Sequence, residues 1–81
     1  MKKLIEENVM KEKDIEISRT IRVARKKMEM TRKELAKIIN VHPMQIYSWE
    51  KRGASPSAKK FLLLMKTLNL SADDFLAKKA Q

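Results

Sequence analysis

A chain of 81 residues carrying 19 Lys+Arg against 10 Asp+Glu, a formal charge of +9, is one small basic domain. Stability on the order of a few kcal/mol is expected at this size. With no cysteine and one histidine, the sequence has no disulfide, iron–sulfur centre, Cys-based zinc site or catalytic dyad to offer. No cofactor and no enzymatic activity are therefore expected. The longest apolar run, Phe61 to Met65, is far short of the ~18 residues a membrane span needs, and Met1-Lys2-Lys3-Leu4-Ile5-Glu6-Glu7 has no signal-peptide core.

Residues 1–17 carry four basic and five acidic residues, whereas residues 18–60 carry twelve and three, so the positive excess lies on the middle of the chain. The first segment reads as an N-terminal arm. Leu4, Ile5, Val9 and Met10 give no clean helical stripe, and Asp14-Ile15-Glu16-Ile17-Ser18 alternates as a short edge strand does. A frayed tail, an element of a dimer and a docking arm for another protein are all compatible with it.

Residues 18–81 read as an all-α domain of five helices. The first runs from about Ser18 or Arg19 to Met28, with Ile17, Ile21, Ala24 and Met28 on one face. The second spans about Arg32–Ile39, opened by Thr31 and Glu34 as a capping box and buried through Leu35, Ala36 and Ile39. Asn40-Val41-His42 supplies a tight reversal, because Asn tolerates the left-handed conformation a helix exit needs. The third spans about Pro43–Lys51, with Pro43 at its first position, Ile46 and Trp49 on one face, and Gly53 after its last turn. His42 is the weak joint, since Ser, Thr, Asp or Asn caps a helix better. Ser57 caps a fourth helix, about Ala58–Leu68, with Phe61, Leu62, Met65 and Leu68 inward. Ser71 and Asp74 open a fifth, about Ala72–Lys78. The expected core takes these inward positions from Ile21 onward and adds Val41 and Phe75.

Two short helices joined by so tight a turn form a helix-turn-helix, whose second helix stands proud enough to enter a DNA major groove. The run Thr31, Glu34, Leu35, Ala36, Val41, Ile46, Trp49 and Glu50 resembles the lambda-repressor/Cro-type helix-turn-helix family, also called the xenobiotic-response-element family. The resemblance extends upstream to Ile21, Ala24 and Arg25. Downstream it reaches Pro56-Ser57, Leu64, Leu68, Leu70-Ser71 and Phe75-Leu76, so that residues 18–77 are covered. Arg32 replaces the family's frequent glutamine, Asn40 its turn glycine, and His42-Pro43 its serine cap and following residue.

The resemblance implies a five-helix lambda-repressor-like domain that binds double-stranded DNA as a transcriptional regulator. It further implies a repressor acting as a homodimer on a palindromic operator, in a cytoplasm of bacterial, phage or plasmid origin. The alternative is an antitoxin of the HigA or HipB type, which also binds operator DNA but holds a toxin as protein partner. The run from Pro56 to Leu64 faintly echoes that group.

The third helix then presents Pro43, Met44, Gln45, Tyr47 and Ser48 to bases. Gln45 is the side chain of its first turn able to pair bidentately with adenine, and Pro43 and Met44 suit thymine methyls. Thr31, Arg32, Lys33, Lys51, Arg52, Ser55, Lys59 and Lys60 are the expected phosphate contacts, with an anion favoured at the start of the second helix. Arg25 and Glu50 match family positions that pair across the domain. Leu70, Phe75 and Leu76 are the expected apolar surface for pairing two copies, with the arm as the competing site.

Overall fold

A computed structural model of the chain describes residues 15–76. Its elements are α1 (Ile17–Lys27), α2 (Arg32–Ile39), α3 (Pro43–Lys51), α4 (Ala58–Thr67) and a single 3-10 turn (Ala72–Phe75). The fifth expected helix is this 3-10 turn. It begins where Ser71 and Asp74 predict, with the Asp74 carboxylate accepting the Ser71 N–H at 2.7 Å. By Leu76 the backbone is already extended. The remainder of the expected helix, and residues 1–14 of the arm, lie outside the described residues. None of the described helices is long and apolar enough to cross a membrane.

Four α-helices cannot each bury a face in so short a chain unless each contributes a few side chains to one centre. Ile21, Leu35, Ile39, Ile46 and Leu64 are the largest fully buried side chains of that centre, one or two per helix, with Trp49, Leu68 and Phe75 closing around them. α3 packs against both α1 and α2, α2 also packs on α4, and the 3-10 turn lies on α1. The rings of Phe61 and Phe75 meet at 4.6 Å between centroids, tilted, joining α4 to the end of the chain.

Two expected core residues are not in it. Met28 is 46% exposed, because α1 ends at Lys27 and Met28 already belongs to the exit turn. Leu62 is 64% exposed and Leu64 fully buried, so the inward face of α4 is Phe61, Leu64, Met65 and Leu68. Both sets recur at helical spacing in an apolar run, and only packing against the core selects between them. Phe75 is 2% exposed, which removes it from any surface for pairing two copies.

Ile17, the last residue of the expected arm, is the first residue of α1 and packs against the core. Before it, Ile15 forms one antiparallel bridge with Leu76, and the Glu16 N–H donates to the Phe75 carbonyl at 2.6 Å. Among the described residues, the alternation read as an edge strand is thus realised at Ile15 alone. With Thr20 Oγ1 donating to the Asp74 carbonyl at 3.1 Å, these bonds tie the start of α1 to the 3-10 turn.

One terminator closes three of the helices. Glu29, Asn40 and Asn69 each take a left-handed conformation, with φ of 56°, 59° and 55°. The residue after each donates its N–H back across the last turn: Met30 to Arg25, Val41 to Ala36 and Leu70 to Met65, at 3.1, 2.9 and 2.7 Å. These are six-to-one bonds of the Schellman kind, and their donors Met30, Val41 and Leu70 all pack against the core. Each helix therefore ends by folding an apolar residue under itself, which sets the short connection to the next element.

Asparagine adopts that conformation more readily than glutamate, for which it costs roughly 1–2 kcal/mol, and a glycine there would give back part of the gain through its freedom in the unfolded chain. Glu29→Gly should therefore stabilise the domain by about 0.5–1 kcal/mol, raising the melting temperature by a few degrees. A thermal melt by circular dichroism checks this, and an unchanged or lowered transition contradicts it.

Candidate nucleic-acid interface

Glu50 is the one acidic residue on the buried stripe of α3, beside Ile46 and Trp49. A carboxylate with 0% side-chain exposure stays charged only if its lone pairs are met by cations. Arg25 of α1 meets it bidentately, Nε to Oε2 at 2.7 Å and Nη2 to Oε1 at 3.0 Å. Its remaining nitrogen, Nη1, donates to the Met30 carbonyl at 2.7 Å, just past the end of α1. Arg32, the first residue of α2, adds Nε to Oε1 at 3.0 Å. One carboxylate thus joins α1, α2 and α3. Burial pushes the Glu50 carboxyl up, but the hydrogen bonds and charges of Arg25 and Arg32 outweigh it and hold the group below its ordinary value.

Two guanidiniums on one carboxylate leave a positive excess, and it faces outward. The Arg32 side chain is 32% exposed. Its guanidinium carbon lies 5.2 Å from the centre of the Tyr47 ring, and that of Arg52 lies 5.8 Å from the same ring. Both are within cation–π range. Two expected phosphate contacts, one from the start of α2 and one from just past the end of α3, are therefore gathered around the Tyr47 ring on α3.

The helix starts divide their labour. At α2, Thr31 Oγ1 accepts the Glu34 N–H at 3.0 Å and the Glu34 carboxylate accepts the Thr31 N–H at 2.8 Å. The N–H groups of Arg32 and Lys33 take no part in this box, and they point out of the helix start as anion donors do. At α3 the donors are consumed. Pro43 has no N–H, the Gln45 N–H donates to the His42 carbonyl at 2.8 Å, and the Met44 N–H donates to His42 Nδ1 at 3.0 Å. His42 is therefore a working cap rather than a weak joint. Accepting at Nδ1 places the proton of the neutral ring on Nε2. The Gln45 side chain completes the box, its Oε1 accepting the His42 N–H at 3.3 Å.

Among the expected base readers, Met44 is 52% exposed, Gln45 is exposed, and Pro43, Tyr47 and Ser48 are half-buried on α3. The Ser48 carbonyl accepts the N–H groups of Arg52 and Ala54, at 3.0 and 3.2 Å, around Gly53 at φ 75°. That turn sends the chain on to Ser55, which is exposed, as are Thr31, Lys33, Lys51, Arg52 and Lys59. Lys60 differs. Its Nζ donates to the carbonyls of Ile39 and Asn40, at 3.1 and 3.3 Å, so it clamps the C-terminus of α2 rather than standing free for a phosphate. A contact spanning about twenty residues leaves no local mark in the sequence. The His42–Gln45 box did leave one, a polar residue followed three later by glutamine, which the unusual capping residue concealed.

Because the folded-state value of Glu50 is depressed, its contribution is full at neutral pH and is lost as pH falls through that depressed value. The melting temperature should lose the Glu50 share only below the ordinary carboxylate range, about 4.3. Glu50→Gln, which strands Arg25 in the interior, should cost about 3–5 kcal/mol at neutral pH. Thermal melts across pH check both statements, and a Glu50→Gln protein that melts like the wild type at pH 7 contradicts them.

No curated protein matches the chain. The helix-turn-helix family matches residues 21–75, which takes in α1 from Ile21 onward, α2 to α4, the 3-10 turn and all three residues of the buried ion cluster. With more than half its length so matched, the chain belongs to the lambda-repressor/Cro-type helix-turn-helix family of DNA-binding regulators.

Proposed function

We propose that the protein is a sequence-specific repressor that pairs on a palindromic operator, each copy laying α3 in the major groove. The observation that carries this reading is the Arg25–Glu50–Arg32 cluster. A buried ion cluster contributes little net stability against an apolar alternative, but it fixes direction. Here it fixes which face of α3 turns outward. That face bears Pro43, Met44, Gln45, Tyr47 and Ser48, with cationic side chains at its margins.

Phosphates supply most of the affinity in this reading. The N–H groups of Arg32 and Lys33 offer an anion seat at the start of α2, and Thr31, Lys33, Lys51, Arg52, Ser55 and Lys59 reach the backbone on either side. Arg32 contributes through the exposed part of its guanidinium while its Nε stays on Glu50. Pro43 and the exposed Met44 supply apolar contact, for which thymine methyl groups are the fitting partners. A face so poor in hydrogen-bonding groups leaves a sizeable share of selectivity to the shape of the DNA.

One module of this size covers about half of a selective site, so two copies are required, with half-sites roughly 34 Å apart. A dimer neutralising ~8 phosphates loses about a thousandfold or more in affinity between 50 and 200 mM salt. Selection of bound DNA from a random pool, then footprinting and salt titration, tests the reading. Arg52→Ala, which leaves the buried cluster intact, should weaken selected and random DNA alike and flatten the salt slope by about one unit per copy. A single non-palindromic site held by one chain at full affinity, or a salt slope unchanged by Arg52→Ala, contradicts it.

A further inference from the structure

A long cationic side chain that grips a phosphate gives up rotamer freedom, and whatever orders it beforehand removes that loss. Arg32 is ordered by its bond to Glu50. Arg52 has no ion pair among the described residues. It is the exposed residue that caps the end of α3, and what its guanidinium meets is the Tyr47 ring, 5.8 Å from carbon to ring centre. The Arg32 guanidinium lies 5.2 Å from the same centre. Tyr47 is itself half-buried on α3, so its ring is a firm support for both. The ring quadrupole attracts each of two cations that repel one another.

Resting on the DNA-binding reading above, we propose that Tyr47 is a positioning residue, whose ring pre-orients Arg52 beside Arg32 for the DNA backbone and reads no base. The side chains that read base edges present two polar groups in one plane or a small apolar contact, whereas a phenol has one hydroxyl at the end of a wide ring. Arg32 begins α2 and Arg52 follows α3, so the ring draws together cations from the two ends of the helix-turn-helix. Their charges are not equivalent. Arg32 shares the Glu50 carboxylate with Arg25, while Arg52 brings a charge that no described carboxylate offsets. Holding Arg52 therefore strengthens binding to every sequence alike, because phosphates carry no sequence information.

The test is what Arg52→Ala costs in three backgrounds, wild type, Tyr47→Phe and Tyr47→Leu, each bound to selected and to random duplex DNA at one salt concentration. Phenylalanine keeps the ring without the hydroxyl, and leucine removes the ring while suiting a helix. If the ring holds Arg52, the fold-loss on Arg52→Ala is the same in wild type and Tyr47→Phe. It shrinks by about two- to fivefold in Tyr47→Leu, the worth of an exposed cation–π contact. Tyr47→Leu by itself should weaken selected and random DNA by that same factor. An equal loss in all three backgrounds overturns the proposal. So does a loss that shrinks in Tyr47→Phe as well, which assigns the effect to the hydroxyl, or a base preference that disappears in Tyr47→Leu. Nuclear Overhauser contacts between the Tyr47 ring protons and the Arg52 side chain, expected in the free wild type, need no variant to fold, and their absence also overturns it. A wild type that selects no DNA refutes the DNA-binding reading itself, and this inference falls with it.

Discussion

The described domain depends on one carboxylate. Glu50 has no access to water and receives three charged N–H donors from two arginines on two other helices. Apolar packing would hold α1, α2 and α3 together as firmly, but it is tolerant of rotation and sliding. A bidentate guanidinium–carboxylate pair is not, because its two bonds must stay coplanar and near 3 Å. The rotation of α3 about its own axis is set by that pair. Everything on its outer face, from Met44 to Arg52, takes its position from a contact on the inner one.

The exits of the helices set the other dimension. Three left-handed residues stop α1, α2 and α4, and Met30, Val41 and Leu70 tuck beneath them into the core. Lys60 adds a long-range cap by holding the carbonyls of Ile39 and Asn40. α2 is therefore closed at its C-terminus by its own turn and by α4 together. The angle between α2 and α3 follows from a short turn whose geometry has little room to vary. Surface cations that look interchangeable in the sequence have separate tasks here: Lys60 structures the turn, while Lys33 and Lys59 stand exposed.

What was legible in the sequence was local. The Thr31–Glu34 box, the Asn40 exit, Pro43 at the first position of α3 and the apolar spacing of Leu35, Ile39, Ile46 and Trp49 all lie within one or two helical turns of the residues they act on. Those signals suffice for the all-α class and for the bounds of α2 and α3. The Arg25–Glu50 pair, 25 residues apart, came from the family resemblance and not from spacing. The second arginine on Glu50 and the clamp of Lys60 had no local signal at all. In α4, an apolar run longer than one face leaves Leu62 and Leu64 equivalent by spacing, and the fold buries Leu64 and exposes Leu62. The expected fifth helix shows the limit of capping signals, which mark a start and say little about length.

If Glu50 is the contact on which the arrangement rests, Arg25 and Glu50 must be energetically coupled far beyond their separate contributions. A double-mutant cycle measures that coupling directly: wild type, Arg25→Met, Glu50→Leu and the double variant, unfolded by denaturant with sucrose present to keep the single variants folded. Glu50→Leu strands the Arg25 charge in the interior and Arg25→Met leaves Glu50 with Arg32 alone, so each should lose about 3 kcal/mol or more. The double variant should recover much of that loss, giving a coupling on the order of 3 kcal/mol. Losses that simply add, within about 0.5 kcal/mol, would contradict the account.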